Sequence, residues 1–81
     1  MMKTVSVRYF AAFRDAAGVS DERVSTPAST LEELFEERLG AHAGLHRAAA
    51  AKVAVNDKLV NWSAGFDDGD EVLFFPPVAG G

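Results

Sequence analysis

Gly80 and Gly81 close the sequence, behind the run Phe74-Phe75-Pro76-Pro77-Val78-Ala79. Pro76 and Pro77 cannot continue ladder pairing and stiffen the chain where it leaves the last apolar strand. Val78, Ala79, Gly80 and Gly81 then taper to little or no side chain, which is the shape a tail needs to enter a narrow tunnel. If the reactive group is the terminal carboxylate, its pKa of about 3.5 makes it an anion and a poor electrophile at neutral pH. It must be activated, for example as an acyl-adenylate, before a nucleophile can attack. Without Cβ atoms at Gly80 and Gly81, another enzyme's nucleotide pocket can close around the backbone. The chemistry would then sit in a partner. The plain alternative is a tail that follows a proline stop, as chain termini commonly do.

Other groups offer less. His42 and His46 are four residues apart, a metal-ligand spacing on a continuous helix, but Gly40 and Gly44 argue against one and no third ligand stands at motif spacing. Glu32, Glu33, Glu36 and Glu37 read as a solvated helix face rather than an acid/base pair. No Ser-His-Asp order and no phosphate-cradling glycine loop occurs. With no cysteine among 81 residues, disulfides, a thiolate nucleophile, cysteine-ligated zinc and iron–sulfur clusters are excluded. A chain this short supports one small domain without a large internal cleft, so catalysis by the isolated chain and a permanently bound cofactor are not expected. Twelve acidic against eight basic residues give a net charge of −4 with no basic run. That argues against nucleic acid and suits a basic protein partner. No stretch is long and apolar enough to span a bilayer and no leader pattern is present, so the expected location is cytoplasmic.

The elements that must position the tail are legible. Thr4 to Phe10 alternates, with Val5, Val7 and Tyr9 on one face and Thr4, Ser6 and Arg8 on the other, which predicts a half-buried strand. Ala11 to Ala17 reads as a short helical turn ended by Gly18, and Glu22 to Ser25 as a strand returning antiparallel to the first. Thr30 to Leu39 carries an apolar stripe of Leu31, Leu34, Phe35 and Leu39. Thr30 and Glu33 form a capping box there, and Gly40 is expected at C′. Ala43 to Ala51 reads as a loose helical turn. Val53 to Val55 and Leu59 to Trp62 flank the turn Asn56-Asp57-Lys58, and Asp67 to Asp70 is a turn into a last strand, Glu71 to Phe75. The order predicts an α+β roll of four to five strands packed on one main helix. The expected division is a domain over residues 1–75 and a tail over 76–81.

Phe10 falls on the polar side of the first strand. If Val72 and Phe74 face the helix, Phe75 also lies on the opposite sheet face, and Leu59 can join the two from its hairpin. Three large apolar residues there form either a small second core under a loop or an exposed docking patch. The short loops favour the patch.

The run Tyr9-Phe10-Ala11-Ala12-Phe13-Arg14-Asp15, the hairpin Val55-Asn56-Asp57-Lys58-Leu59-Val60, and Asp68-Gly69-Asp70-Glu71-Val72 continuing to the Phe-Pro-Pro-Val-Ala-Gly-Gly ending resemble the MoaD/ThiS family of ubiquitin-like sulfur carriers, and within it the small subunits of molybdopterin synthase. The resemblance covers essentially the whole chain and implies a mixed-sheet β-grasp fold. It implies that the Gly81 carboxylate is adenylated by an ATP-dependent MoeB-type enzyme and converted to a thiocarboxylate with a sulfur donor enzyme. The tail, with Gly80 giving clearance, then enters a MoaE-type large subunit and donates sulfur to cyclic pyranopterin monophosphate to build the molybdopterin dithiolene. The resemblance further implies an assembly of two small and two large subunits. Phe10, Leu59, Phe75, Pro76 and Pro77 are the implied partner contacts. Arg14 matches a family position, where it either meets a partner or pairs with Asp15 or a helix carboxylate. The alternatives are a ThiS-type carrier for thiamine thiazole synthesis and a ubiquitin-like module that is never activated.

Overall fold

A computed structural model describes residues 2–42 and 50–77. It contains β1 (Lys3–Tyr9), α1 (Ala11–Ala17), β2 (Asp21–Thr26), α2 (Leu31–Ala41), β3 (Lys52–Val55), β4 (Lys58–Val60) and β5 (Glu71–Phe75). The strands form one mixed sheet in the order β2-β1-β5-β3-β4. β1 and β2 are antiparallel with Val5 opposite Val24, whereas β1 and β5 run parallel with Val7 opposite Val72 and Tyr9 opposite Phe74. β3 is antiparallel to both β4 and β5. This is the α+β roll expected from the order of elements, and the mixed-sheet β-grasp fold that the family resemblance implies.

Period-two alternation places Val5, Val7, Tyr9, Val24, Val53, Val72 and Phe74 on one sheet face, and all are buried. Leu31, Leu34 and Phe35 of α2 close that face, each 0% exposed. Phe35 is central among the rings, 4.7 Å from Phe74, 5.4 Å from Phe13 and 5.4 Å from Trp62. Trp62 also stacks on Phe74 and donates its indole N–H to the Ala51 carbonyl at 3.1 Å. The residue therefore serves the core from beyond β4, which ends at Val60 rather than running on to Trp62 as expected.

The capping box at Thr30 and Glu33 forms as predicted. Gly40 does not stand at C′. It lies inside the last turn of α2, and His42 is the cap residue. A glycine inside a helix costs about 1 kcal/mol relative to alanine; here the two extra residues are fastened by the following His42 side chain, which bonds Glu22 on β2. The loose turn expected over Ala43 to Ala51 lies outside the described residues except at Ala50 and Ala51.

The β3–β4 turn is tighter than its three-residue reading. Asn56 and Asp57 both have positive φ, 51° and 70°, as a two-residue type I′ turn requires, and Lys58 already belongs to β4. Asn56 also accepts from Glu71 N–H at 3.0 Å and donates to Asp70 at 3.0 Å. Gly69, at φ 89°, donates its N–H to Thr4 O, while Asp68 accepts from Thr4 N–H. The Asp68-Gly69-Asp70-Glu71 segment thus joins the start of β5 to both β1 and the β3–β4 hairpin.

Candidate functional site

The sheet face turned away from α2 carries an apolar block at the end from which the chain leaves β5. Across the strands Arg8 stands opposite Leu73, Leu73 opposite Ala54, and Ala54 opposite Leu59. In the next row Phe75 stands opposite Lys52, and the Phe10 ring stacks on Phe75 with centroids 4.6 Å apart and planes 14° from parallel. Leu73 and Ala54 are buried, Phe10 and Phe75 half-buried, and Leu59 is 66% exposed. Ala50, Lys52, Leu59, Phe75 and Pro76 line an open groove of about 430 Å³. Arg8 borders the block, its guanidinium 5.6 Å from the Phe10 centroid and 3.8 Å from the Glu71 carboxylate.

Phe10, Leu59, Phe75 and Pro76 are therefore brought together, with half-buried Pro77 continuing from them. Phe10 reaches the outer face because it follows the last residue of β1, whose partner Phe74 precedes Phe75. Arg14 is exposed on α1 and, among the described residues, pairs with neither Asp15 nor a carboxylate of α2. Val78, Ala79, Gly80 and Gly81 lie outside the described residues. The sequence reading missed Leu73, Ala54 and Lys52. The signal for Leu73 was present: Val72-Leu73-Phe74-Phe75 is apolar without alternation, the pattern of a strand covered on both faces.

On the opposite side of the sheet, Tyr9 Oη donates to Glu22 Oε2 at 2.6 Å, and His42 Nε2 lies 2.8 Å from the same oxygen. The Arg38 guanidinium is 3.5 Å from it. Burial pushes the Glu22 pKa up, but the hydrogen bonds from Tyr9 and His42 and the charges of His42 and Arg38 outweigh this and hold it below its ordinary value of 4.5. An ionised carboxylate only accepts, so Nε2 of His42 carries the proton in this contact. Burial and the bond to Glu22 push the Tyr9 hydroxyl up, keeping it a donor. The cluster ties the end of α2 to β1 and β2. His42 thus has a structural role, while His46 lies outside the described residues. No group of three or more His, Asp or Glu that could hold a metal exists among the described residues. Glu33 serves the helix cap and Glu37 accepts from Thr26, so these members of the helix carboxylate run have structural partners.

Because the folded-state pKa of Glu22 is depressed, its contribution to stability is present above about pH 4.5 and is lost as pH falls through the lower folded value. Glu22→Gln is expected to cost about 1–2 kcal/mol at neutral pH and to flatten the fall in Tm on acidification. Melting curves from pH 7 down to 3 check this; parallel wild-type and variant curves would show that the carboxylate charge contributes nothing.

Three comparisons bear on this geometry. The ThiS family model matches residues 7–81. The chain belongs to the ThiS family. It is 35% identical to the molybdopterin synthase sulfur carrier subunit of Escherichia coli, over 95% of this chain and 99% of that one. Among solved structures, the putative molybdopterin converting factor subunit 1 of Pyrococcus furiosus matches with a TM-score of 0.79 at 35% identity, over 94% of this chain and 99% of the other. A chain from the complex of subunits 1 and 2 of the Helicobacter pylori molybdopterin-converting factor matches at 32% identity with a TM-score of 0.61, over 100% of both chains. This ThiS-family chain is thus a homologue of molybdopterin synthase sulfur carrier subunits along its whole length. No helix among its described residues is long and apolar enough to cross a membrane.

Proposed function

We propose that this chain is the sulfur carrier subunit of a molybdopterin synthase, with residues 1–75 as the docking domain and 76–81 as the reactive tail. The observation that carries the reading is its 35% identity to the Escherichia coli carrier across 95% of the chain. The outer-face patch supports it, because Phe10, Phe75, Leu59 and Pro76 lie where the chain sets out toward Gly81.

In this reading the Gly81 carboxylate attacks ATP on a MoeB-type enzyme, displacing pyrophosphate and leaving an acyl-adenylate. Sulfide-level sulfur delivered by a donor enzyme attacks the carbonyl carbon and expels AMP, giving the thiocarboxylate. Pro76 and Pro77 direct the tail away from β5, the patch docks on a large subunit, and Val78 to Gly81 thread into that subunit's active site. There the thiocarboxylate sulfur bonds to cyclic pyranopterin monophosphate, and water cleaves the carbon–sulfur link to Gly81, returning its carboxylate. A dithiolene has two sulfurs, so two charged carriers are consumed per pterin. An assembly of two small and two large subunits fits this need. ATP belongs to the activating enzyme, and this chain holds no resident cofactor.

A single-turnover reaction of thiocarboxylated chain, large subunit and pterin precursor tests the proposal. The expected product carries the dithiolene. Transfer only to a thiazole precursor would make the chain a thiamine-type carrier, a reading the family description also accommodates. Phe75→Asp is expected to weaken binding to the large subunit by at least about fivefold, the effect of removing an anchor worth more than about 1 kcal/mol. Unchanged affinity by calorimetry would remove the patch from the docking surface.

A further inference from the structure

The net charge of −4 suggests a basic partner, yet no carboxylate lines the groove formed with Leu59, Phe75 and Pro76. Glu32, Glu33 and Glu36 are exposed on α2, which covers the other side of the sheet. Asp67, Asp68 and Asp70 sit at the end of β5 remote from Phe75, where Asp68 and Asp70 are engaged by backbone and Asn56 donors. On the patch's own face the carboxylates stand beside Arg8, with Asp21 opposite it and Glu71 at 3.8 Å, whereas the groove beside Phe75 carries a cation. Lys52 is exposed, stands opposite Phe75, and is the single ionisable residue among those lining the groove with Leu59 and Pro76. Among the described residues it makes no ion pair. Arg8 lies at the other edge, and its pairing with Glu71 is long, at 3.8 Å, with side chains 47% and 40% exposed. Such a pair is weak and leaves the guanidinium free to meet a second carboxylate.

Resting on the docking role given to the patch above, we propose that it is met by a partner surface that is apolar at its centre and carries carboxylates opposite Lys52 and Arg8. The occupant is the large subunit, and Lys52 is a specificity determinant for it. Rim charges act within a screening length of about 8 Å at physiological salt. Lys52 therefore decides the fit at the groove, while the carboxylates of α2 and of the far end of β5 are screened. A partner with a basic rim would pay for burying like charges against Lys52.

Binding of the cognate large subunit to the full-length chain, Lys52→Met, Lys52→Glu and Phe75→Asp is measured by calorimetry at low and high salt. Circular dichroism checks that each variant is folded. Charge removal in Lys52→Met is expected to weaken binding about twofold to fivefold, and reversal in Lys52→Glu about tenfold or more. The deficit of Lys52→Glu should shrink to within about threefold at ~1 M salt, where the screening length is about 3 Å. Lys52→Glu binding as well as wild type or better, with Phe75→Asp still impaired, would overturn the charge assignment and leave the docking role standing. Undiminished binding by Phe75→Asp would instead remove the docking role itself. Concentration-dependent self-association of the free chain in sedimentation, abolished by Lys52→Glu, would assign the rim to a second copy and overturn the proposal.

Discussion

A version of this chain with residues appended after Gly81 is expected to fold normally and to accept no sulfur. The extension converts the Gly81 carboxylate into an amide, which cannot attack ATP to form an adenylate, and the new terminus carries side chains where the activating pocket must close on bare backbone. Folding is expected to be unaffected because the buried core lies within residues 5–74. The effect is therefore all-or-none on sulfur loading and near zero on Tm. Both are read on one preparation, by melting and by mass after incubation with activating enzyme, ATP and a sulfur source. An extended chain that loads fully, and is shown by mass to be untrimmed, would end the assignment of Gly81 as the reactive residue.

The largest effect on stability is expected from Phe35→Ala. Phe35 is 0% exposed and touches the rings of Phe13, Trp62 and Phe74, so it joins α1, α2, β5 and the segment after β4. Truncating a buried phenylalanine costs about 3–5 kcal/mol. A domain of this size has a total stability of roughly 4–12 kcal/mol, so the variant would lose between a quarter and all of it. With about 4–8 °C per kcal/mol for small domains, Tm should fall by about 12 °C or more. A fall under about 5 °C would mean that the aromatic cluster repacks around the gap and that Phe35 is not its centre.

Local chemistry was legible in the sequence and long-range pairing was not. The alternation of Thr4 to Phe10 gave the inward face of β1 and placed Phe10 outward, because the side-chain period of a strand is two. The Thr30 capping box was readable because its two bonds join residues three apart. The parallel pairing of β1 with β5 spans most of the chain, and no local pattern encodes it; the hairpins suggest only neighbours. Gly40 misled, because its fit at C′ was outweighed by a contact between His42 and Glu22, 20 residues apart. At the site, parity collected Phe10 and Phe75, and Leu59 joined them from its place in the hairpin. Leu73 and Ala54 escaped because they become a floor only once β5 is seated between β1 and β3. Lys52 escaped because it joins the groove only by standing opposite Phe75, a register set by the fold. The Asp68-Gly69-Asp70-Glu71 run, read as part of a family likeness, does structural work: it bonds Thr4 and Asn56 and seats the start of β5.

The central claim is that the carbonyl carbon of Gly81 carries sulfur. The intact mass of the full-length chain, taken before and after incubation with a MoeB-type enzyme, ATP and a sulfur source, tests it most directly. A mass gain matching replacement of one oxygen by sulfur, located by fragmentation to Gly81 and absent without ATP, is the expected result. An unchanged mass, with an enzyme that loads the Escherichia coli carrier in the same tube, would contradict the claim and leave a ubiquitin-like docking domain whose glycine ending is not a reactive group.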